Sequence, residues 1–159
     1  MISINHHRGP SPLTRINIPV GMVTLDYMHL VCLGVTRKWM RSRMKGDFSY
    51  RLGSRAVMTI SQRWLQLRPH IPTEFQRKPR SLADIDRWKA TEFRQFVLYT
   101  GPVLLQGILS TSHNTHFMDV SVAMYLMLCP VLCNYYRDYA DALIKHFLSV
   151  FEQLYGADE

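Results

Sequence analysis

Apolar side chains recur at helical spacing along most of the chain, and this periodicity constrains the fold more than any other feature. It is clearest in residues 134–155, where apolar residues lie three or four positions apart with charged residues between them. Residues 116–129 are apolar nearly all round, which favours a buried helix over a strand. No segment shows the period-two alternation of a half-buried strand. We therefore predict an all-α fold: a single irregular bundle of five to six helices with an extended N-terminal arm.

Capping residues, prolines and glycines set the other predicted helix ends. The remaining predicted helices, each beginning at a possible N-cap, are Thr24–Lys45, Ser54–Leu67 and Ser81–Leu109. Gly101-Pro102 is expected to break or kink the last of these, and residues 110–115 read as a polar loop. The aromatic and leucine side chains expected in the core are Trp88, Phe96, Leu104, Leu126, Phe147 and Phe151.

With 159 residues, 47% of them apolar, the chain is long enough for one domain with its own core. Residues 1–20 contain three prolines and no periodicity, so we expect an extended or disordered arm there and a helical domain over 21–159. Such an arm suggests a fragment of a larger protein. Three cysteines do not form a disulfide framework, and no signal peptide or bilayer-length apolar run is visible. We expect an intracellular protein with no membrane contact.

The formal net charge is +7, and much of the excess lies in two runs, 37–45 and 77–80. Such runs can bind DNA phosphates without sequence preference, although a basic run is often only a solvated face. The second run is a proline-containing elbow before the possible helix start at Ser81, a position where backbone N–H groups could also hold a phosphate. The candidates for phosphate contact are Arg37, Lys38, Arg41, Arg77, Lys78 and Arg80.

Several sequence blocks resemble transposases of CACTA-type (En/Spm-like) DNA transposons. The stretch Leu25-Asp-Tyr-Met-His-Leu-Val-Cys-Leu-Gly is similar to the family's Asp-x-Met-His-x-x-x-Leu-Gly block. The other blocks, in family order, are His6–Leu13, Arg77–Leu82, Arg87–Phe96 and Leu98–Val103. The resemblance implies a helical part of a transposase, or a reading frame derived from one. Its partners would be DNA and other parts of the transposase, and its location the nucleus.

The same resemblance implies that the family's catalytic acids lie outside this chain, so we expect no catalytic residue, cofactor or metal here. Asp26, Met28 and His29 match the family's block and are candidates for a role near a catalytic or DNA site in an intact transposase. Asp26 and His29 are also spaced to pair within one helix turn, as an ordinary structural contact. Ser121 departs from the family, which tends to carry a histidine at this point.

Two further groups of residues could be read as sites. His113, His116, Cys129 and Cys133 could be combined into a zinc site, but the spacing is loose and Pro130 intervenes, so buried free thiols are the preferred interpretation. The alternative to DNA binding is a helical protein-interaction module whose cations only aid solubility. A third and weaker alternative is an enzyme that uses Asp26 and His29.

Overall fold

The computed structural model describes residues 26–155, and over this range the protein is all-α without strands. Helix α1 is a π-helix over Met28–Thr36 and an α-helix over Arg37–Lys45. Helix α3 is made of Ala90–Gln95, the π-helical Phe96–Thr100 and Gly101–Leu104. The other helices are α2, Ser54–Gln66, α4, Thr111–Leu128, and α5, Pro130–Tyr155. Short 3₁₀ helices cover Arg68–His70 and Leu82–Arg87. The predicted all-α bundle of five to six helices is confirmed.

An aromatic cluster at the centre joins the helices. Trp64 of α2 stacks on Trp88 with ring centroids 5.3 Å apart. Phe96 of α3 contacts both indoles and also meets Phe117 of α4. Aromatic pairs in such tilted and offset arrangements add about 0.5–1.5 kcal/mol each beyond the area they bury. This cluster therefore fixes α2, α3 and α4 against one another.

Helices α4 and α5 form an antiparallel hairpin, and α4 also packs closely on α3. The close approach to α3 requires a glycine, because a Cβ at Gly101 would lie 2.5 Å from Cζ of Phe117. Helix α5 is kinked at Tyr136, where φ is −118° and ψ is 19°. No helix among the described residues is long and apolar enough to cross a membrane.

The predicted helix Ser81–Leu109 is wrong at both ends. Ser81 caps only the 3₁₀ helix, and Trp88 is extended, which lets its indole N–H donate to the Ser81 carbonyl at 3.2 Å. Helix α3 then restarts because the Glu92 side chain accepts from the backbone N–H of Lys89 at 2.8 Å. At the other end, α3 continues through Pro102 after its π-helical turn and ends at Leu104.

Other expected boundaries also move. Residues 111–115 are the first turn of α4 rather than a loop, with Ser110 as its extended N-cap. Helix α5 begins at Pro130, four residues before its predicted start. Of the expected core residues, Trp88, Phe96, Leu104 and Phe147 are buried, whereas Leu126 and Phe151 are half-buried. The expected arm over 1–20 and the possible cap Thr24 lie outside the described residues.

Candidate nucleic-acid interface

The α-helical half of α1 carries cations on one exposed face. Lys38, Arg41 and Lys45 are three and four residues apart, so they lie on one side of the helix, and all three side chains are exposed. We call these three residues the basic stripe. The opposite side carries Trp39 and Met40, which are buried in the core. Burial of that side fixes the rotation of α1 and thereby turns the stripe toward solvent.

One carboxylate lies against the basic stripe. Asp86 accepts from Arg41 at 2.8 Å through one oxygen and from Lys45 at 2.5 Å through the other. The hydrogen bond from Lys45 is the main reason that the pKa of Asp86 lies below its ordinary value. All three side chains are about half exposed, so solvent and salt screen these pairs. The stripe therefore keeps excess positive charge that a polyanion can reach.

An open groove of about 720 Å³ runs beside the stripe. It is lined by Leu33, Gly34 and Val35 at the end of the π-helical segment and by the stripe residues themselves. Arg37 also lines it, half-buried, and its Nε is buried with no hydrogen-bond partner among the described residues. Four of the residues around this groove are thus cationic, which suits a negatively charged ligand.

The basic elbow, Arg77–Arg80, is in a different situation. Arg80 holds the fully buried carboxylate of Glu92 with two hydrogen bonds, 2.7 Å from Nε and 2.6 Å from Nη2. Its Nη2 also donates to the Arg87 carbonyl at 2.6 Å. The amine of Lys78 donates to the carbonyl of Ile71. Arg77 is the exposed cation of the elbow, whereas Lys78 and Arg80 are half-buried and bound to other groups of the protein.

The backbone N–H groups after the elbow are also engaged. The N–H of Leu82 donates to the Ser61 hydroxyl at 3.1 Å, and that of Ala83 donates to the Ser81 hydroxyl at 3.1 Å. The N–H of Asp84 donates to the Ser81 carbonyl at 3.0 Å. The expected combination of projecting cations and free N–H groups at this helix start is therefore not formed, because neighbouring side chains and the turn itself take those donors.

The residues of the Asp-x-Met-His block lie at the start of α1. Asp26 accepts from the backbone N–H of Met28 at 2.8 Å and contacts Nδ1 of His29 at 2.5 Å. The hydrogen bond with His29 is the main cause of the lowered pKa of Asp26. All three side chains are exposed. The predicted i,i+3 pair is thus formed, as a surface contact that also caps the helix.

The residues considered for zinc do not converge. Within residues 26–155, no three His, Cys, Asp or Glu side chains are grouped so that they could hold a metal ion. The three thiols are free, but only Cys32 is buried, and Cys129 and Cys133 are half-buried. Ser121, which stands where the family tends to carry histidine, donates to the Val97 carbonyl at 2.6 Å and thus joins α4 to α3.

Sequence reasoning missed a buried polar cluster between α1, α4 and α5. The Trp39 indole donates to the Tyr155 hydroxyl at 2.8 Å, and that hydroxyl lies 3.4 Å from Nδ1 of His116. Nε2 of His116 donates to the Phe147 carbonyl at 3.0 Å. This arrangement fits a neutral imidazole, and burial lowers the pKa of His116 while raising that of Tyr155 to about 12. The apolar spacing around His116 is the only sequence signal of its burial.

The burial of Arg43 was also missed from the sequence. This residue belongs to the first basic run, yet its side chain is buried, and its Nε and Nη1 have no hydrogen-bond partner within the part of the chain that the structure describes. Burial is the main cause of its lowered pKa, and its charge adds to the lowering of the pKa of His113. Its helical position would have shown this, because Arg43 is four residues after Trp39 and lies on the same side.

Comparison of the chain with protein-family models, with curated proteins and with solved structures gives no match. The resemblance to transposases consequently depends on the sequence blocks alone.

Proposed function

We propose that this chain is a transposase-derived helical unit that binds the phosphate backbone of DNA without sequence preference and without cleaving it. The observation that carries the proposal is the basic stripe. It places Lys38, Arg41 and Lys45 on one exposed helix face beside an open groove, in a chain with a formal net charge of +7. Clustered cations on a helix favour phosphate contacts, which supply affinity but little sequence information.

The transposase origin is supported by the sequence blocks, and the structure adds where their residues lie. The block that contains Asp26 and His29 forms the start of the helix that carries the basic stripe. The block Arg77–Leu82 supplies Arg80, which pairs with Glu92 of the next block. Two of the family-like segments, Arg77–Leu82 and Arg87–Phe96, are therefore in contact, and Ala90–Gln95 also packs on Met28–Thr36 of the helix that is proposed to meet DNA.

A non-catalytic role is supported by the contacts of the carboxylates. Asp86 pairs with Arg41 and Lys45, Glu92 with Arg80, and Asp119 with His146 at 2.7 Å. A strand-cleaving site of the transposase kind needs carboxylates directed together at divalent ions. The carboxylates named here instead point to separate basic partners.

Salt dependence of DNA binding tests the proposal. A stripe variant carries Lys38→Ala, Arg41→Ala and Lys45→Ala, and its matched control carries Arg55→Ala, Arg68→Ala and Arg77→Ala at exposed positions elsewhere. Each variant lowers the formal net charge from +7 to +4, because each loses three cations. In fluorescence anisotropy with labelled duplexes, the stripe variant should reduce the slope of log affinity against log salt by about two to three units, and the control by less than one.

Equal slopes for the two variants would contradict the stripe as the DNA-binding surface. Unrelated duplex sequences should bind alike, and a strong preference for one sequence would contradict non-specific binding. Incubation with transposon-end DNA and magnesium or manganese should leave the strands uncut. Metal-dependent cleavage that is lost in Asp26→Asn would overturn the non-catalytic assignment and make the Asp-x-Met-His block catalytic.

A protein-interaction module is the second candidate function, and one observation favours it. The closed end of the α4–α5 hairpin exposes a group of aromatic and aliphatic side chains, including Tyr135 at 80% and Val131 at 64%. Binding through such a surface would depend weakly on salt, in contrast to phosphate binding. The two functions use different parts of the molecule and are therefore separable by mutation.

A further inference from the structure

Three sulfur-containing side chains lie close together in sequence where α4 ends and α5 begins. Met127 is in the last turn of α4, Cys129 lies between the two helices, and Cys133 ends the first turn of α5. The Sγ atom of Cys133 lies 3.9 Å from the Sδ atom of Met127. Both thiols are free and half-buried, and Met127 is 42% exposed. An ion can therefore reach these sulfur atoms from solvent.

The backbone holds Cys129 one helical turn from Cys133. Cys129 is extended, with φ −98° and ψ 112°, and its carbonyl accepts from the backbone N–H of Cys133 at 2.8 Å. Cys129 thus caps the N-terminus of α5. Residues four positions apart on a helix have Cβ atoms about 5–6 Å apart, so both thiols can turn toward one ion. The kink of α5 at Tyr136 comes after this turn.

The distance between the sulfur atoms of Met127 and Cys133 fits a shared metal ion. The bond between a thiolate and Zn²⁺, a d¹⁰ ion, is about 2.3 Å long. At that bond length, two sulfur atoms 3.9 Å apart subtend roughly 116° at the ion, close to the ideal trigonal angle of about 120°. A third sulfur atom, that of Cys129, would complete a trigonal site.

The donor atoms determine which metal this group of residues suits. Thiolate and thioether sulfur are soft ligands, and a set made only of them favours Cu(I). Structural zinc instead takes four nitrogen, sulfur or oxygen ligands. No three His, Cys, Asp or Glu side chains within residues 26–155 are grouped to hold a metal. A site whose third donor is the thioether of Met127 is compatible with that finding, because methionine is not one of those residue types.

From these contacts we propose that Met127, Cys129 and Cys133 form a three-sulfur site for one Cu(I) ion. Binding deprotonates both thiols and releases two protons, and the copper stays Cu(I), so the step needs no oxidant or reductant. Two thiolates, one neutral thioether and the ion together carry a charge of −1. The site uses no residue of the basic stripe and is independent of the proposed DNA binding.

Anaerobic titration of the reduced chain with a Cu(I)–acetonitrile complex, in competition with a chromophoric Cu(I) chelator, tests the proposal. The unaltered chain should withhold one equivalent of copper from the chelator, and the double variant Cys129→Ser, Cys133→Ser should lose it. Met127→Leu keeps an apolar side chain of similar size and should bind copper at least about tenfold more weakly, since even indirect contacts to a metal site contribute that much. Circular dichroism checks that each variant is folded.

Two variants at sulfur atoms elsewhere in the chain are the matched controls. Cys32→Ala removes the buried thiol of α1, and Met58→Leu removes an exposed thioether of α2. Both should retain copper as tightly as the unaltered chain does. X-ray absorption of the copper-loaded chain should show three sulfur neighbours at about 2.3 Å.

Four results would overturn the proposal. They are complete transfer of copper from the unaltered chain to the chelator, equal retention by the double cysteine variant, undiminished affinity in Met127→Leu, and nitrogen or oxygen neighbours in place of sulfur in the absorption spectrum. The triple stripe variant separates this test from that of DNA binding. It should lose DNA affinity and retain copper, so a failure of DNA binding leaves the copper result unaffected.

Discussion

The basic stripe and the basic elbow both place three cations within a short stretch of sequence, yet the structure treats them differently. In the stripe, Arg41 and Lys45 share one exposed carboxylate, and Lys38 is exposed to solvent. In the elbow, Arg80 neutralises a carboxylate that is fully buried. The difference shows that a cation paired with a buried carboxylate is held in the fold, whereas a cation paired with an exposed carboxylate stays available to a ligand. The elbow therefore holds the fold together, and the stripe is available for binding.

Replacement of Arg80 in the elbow should have the largest effect on the stability of the protein. In Arg80→Ala, Glu92 loses both hydrogen bonds from Arg80 and stays buried, so unfolding should become easier by about 3 kcal/mol. This is the low end of the usual range, because Arg80 itself is partly exposed. Urea denaturation measures the change. Arg77→Ala, the exposed neighbour, should change the free energy of unfolding by less than about 0.5 kcal/mol. Equal effects at the two positions would contradict the distinction.

Replacing Arg43, the buried cation of the first basic run, should instead stabilise the protein. Arg43→Met removes a charge that contacts no acidic side chain among residues 26–155 and keeps an apolar side chain of similar length. The free energy of unfolding should rise by about 1–3 kcal/mol, as when other buried ionic groups are replaced by apolar residues. Arg41→Met on the exposed side is the control and should change it little. A destabilised Arg43→Met would show that the guanidinium has a partner that matters.

Neutralising the carboxylate beside the stripe should strengthen DNA binding. Asp86→Asn leaves Arg41 and Lys45 without their acidic partner and removes a charge that repels phosphate. Affinity for duplex DNA should rise up to about tenfold at low salt, because Arg41 and Lys45 no longer share their charge with a carboxylate and the phosphate is no longer repelled. Asp138→Asn on α5 is the control for the change in net charge. If Asp86→Asn and Asp138→Asn bind DNA equally tightly, only the net charge matters, and the account of Asp86 beside the stripe is contradicted.

A smaller effect on stability is expected when the pH is lowered, through the buried His116. Burial lowers the pKa of His116 in the folded protein, so its imidazole stays neutral there while the unfolded chain takes up a proton below about pH 6.5. The unfolded state then binds more protons, and stability should fall as the pH is lowered from about 6.5 toward the folded pKa. Melting temperatures of the unaltered chain and of His116→Gln, measured across this range, should differ in slope. Parallel curves would contradict a neutral, buried His116.

Helix positions could be predicted from the sequence because apolar periodicity reports local burial. The end of α1 at Lys45, the span of α2 and the amphipathic pattern of α5 all agree with the structure. The break between Arg87 and Ala90 could not be predicted, because it depends on Arg80 and Glu92, which are twelve residues apart and meet only in the folded chain. The same long-range pair decides that the elbow is structural.

The candidate site was predictable only in part. The charge run on α1 identified Lys38 and Arg41, but charge alone did not separate them from Arg43, which only its position four residues after Trp39 places inward. The run also gave no sign that Asp86 reaches across from another segment. The exposed aromatic side chains at the closed end of the α4–α5 hairpin were hidden for a related reason. They follow the same periodicity as core residues, and only the tertiary packing shows that nothing among the described helices covers them.

Mapping the DNA contact residue by residue tests the central claim most directly. A titration of isotopically labelled protein with a short duplex, followed by amide chemical shifts in nuclear magnetic resonance spectra, reports which segments meet the DNA. The account predicts shifts at Lys38, Arg41 and Lys45 and at the neighbouring Asp86, decreasing as salt is raised. It predicts unchanged amide positions for Lys78 and Arg80. Shifts that centre on the elbow and leave α1 unaffected would contradict it.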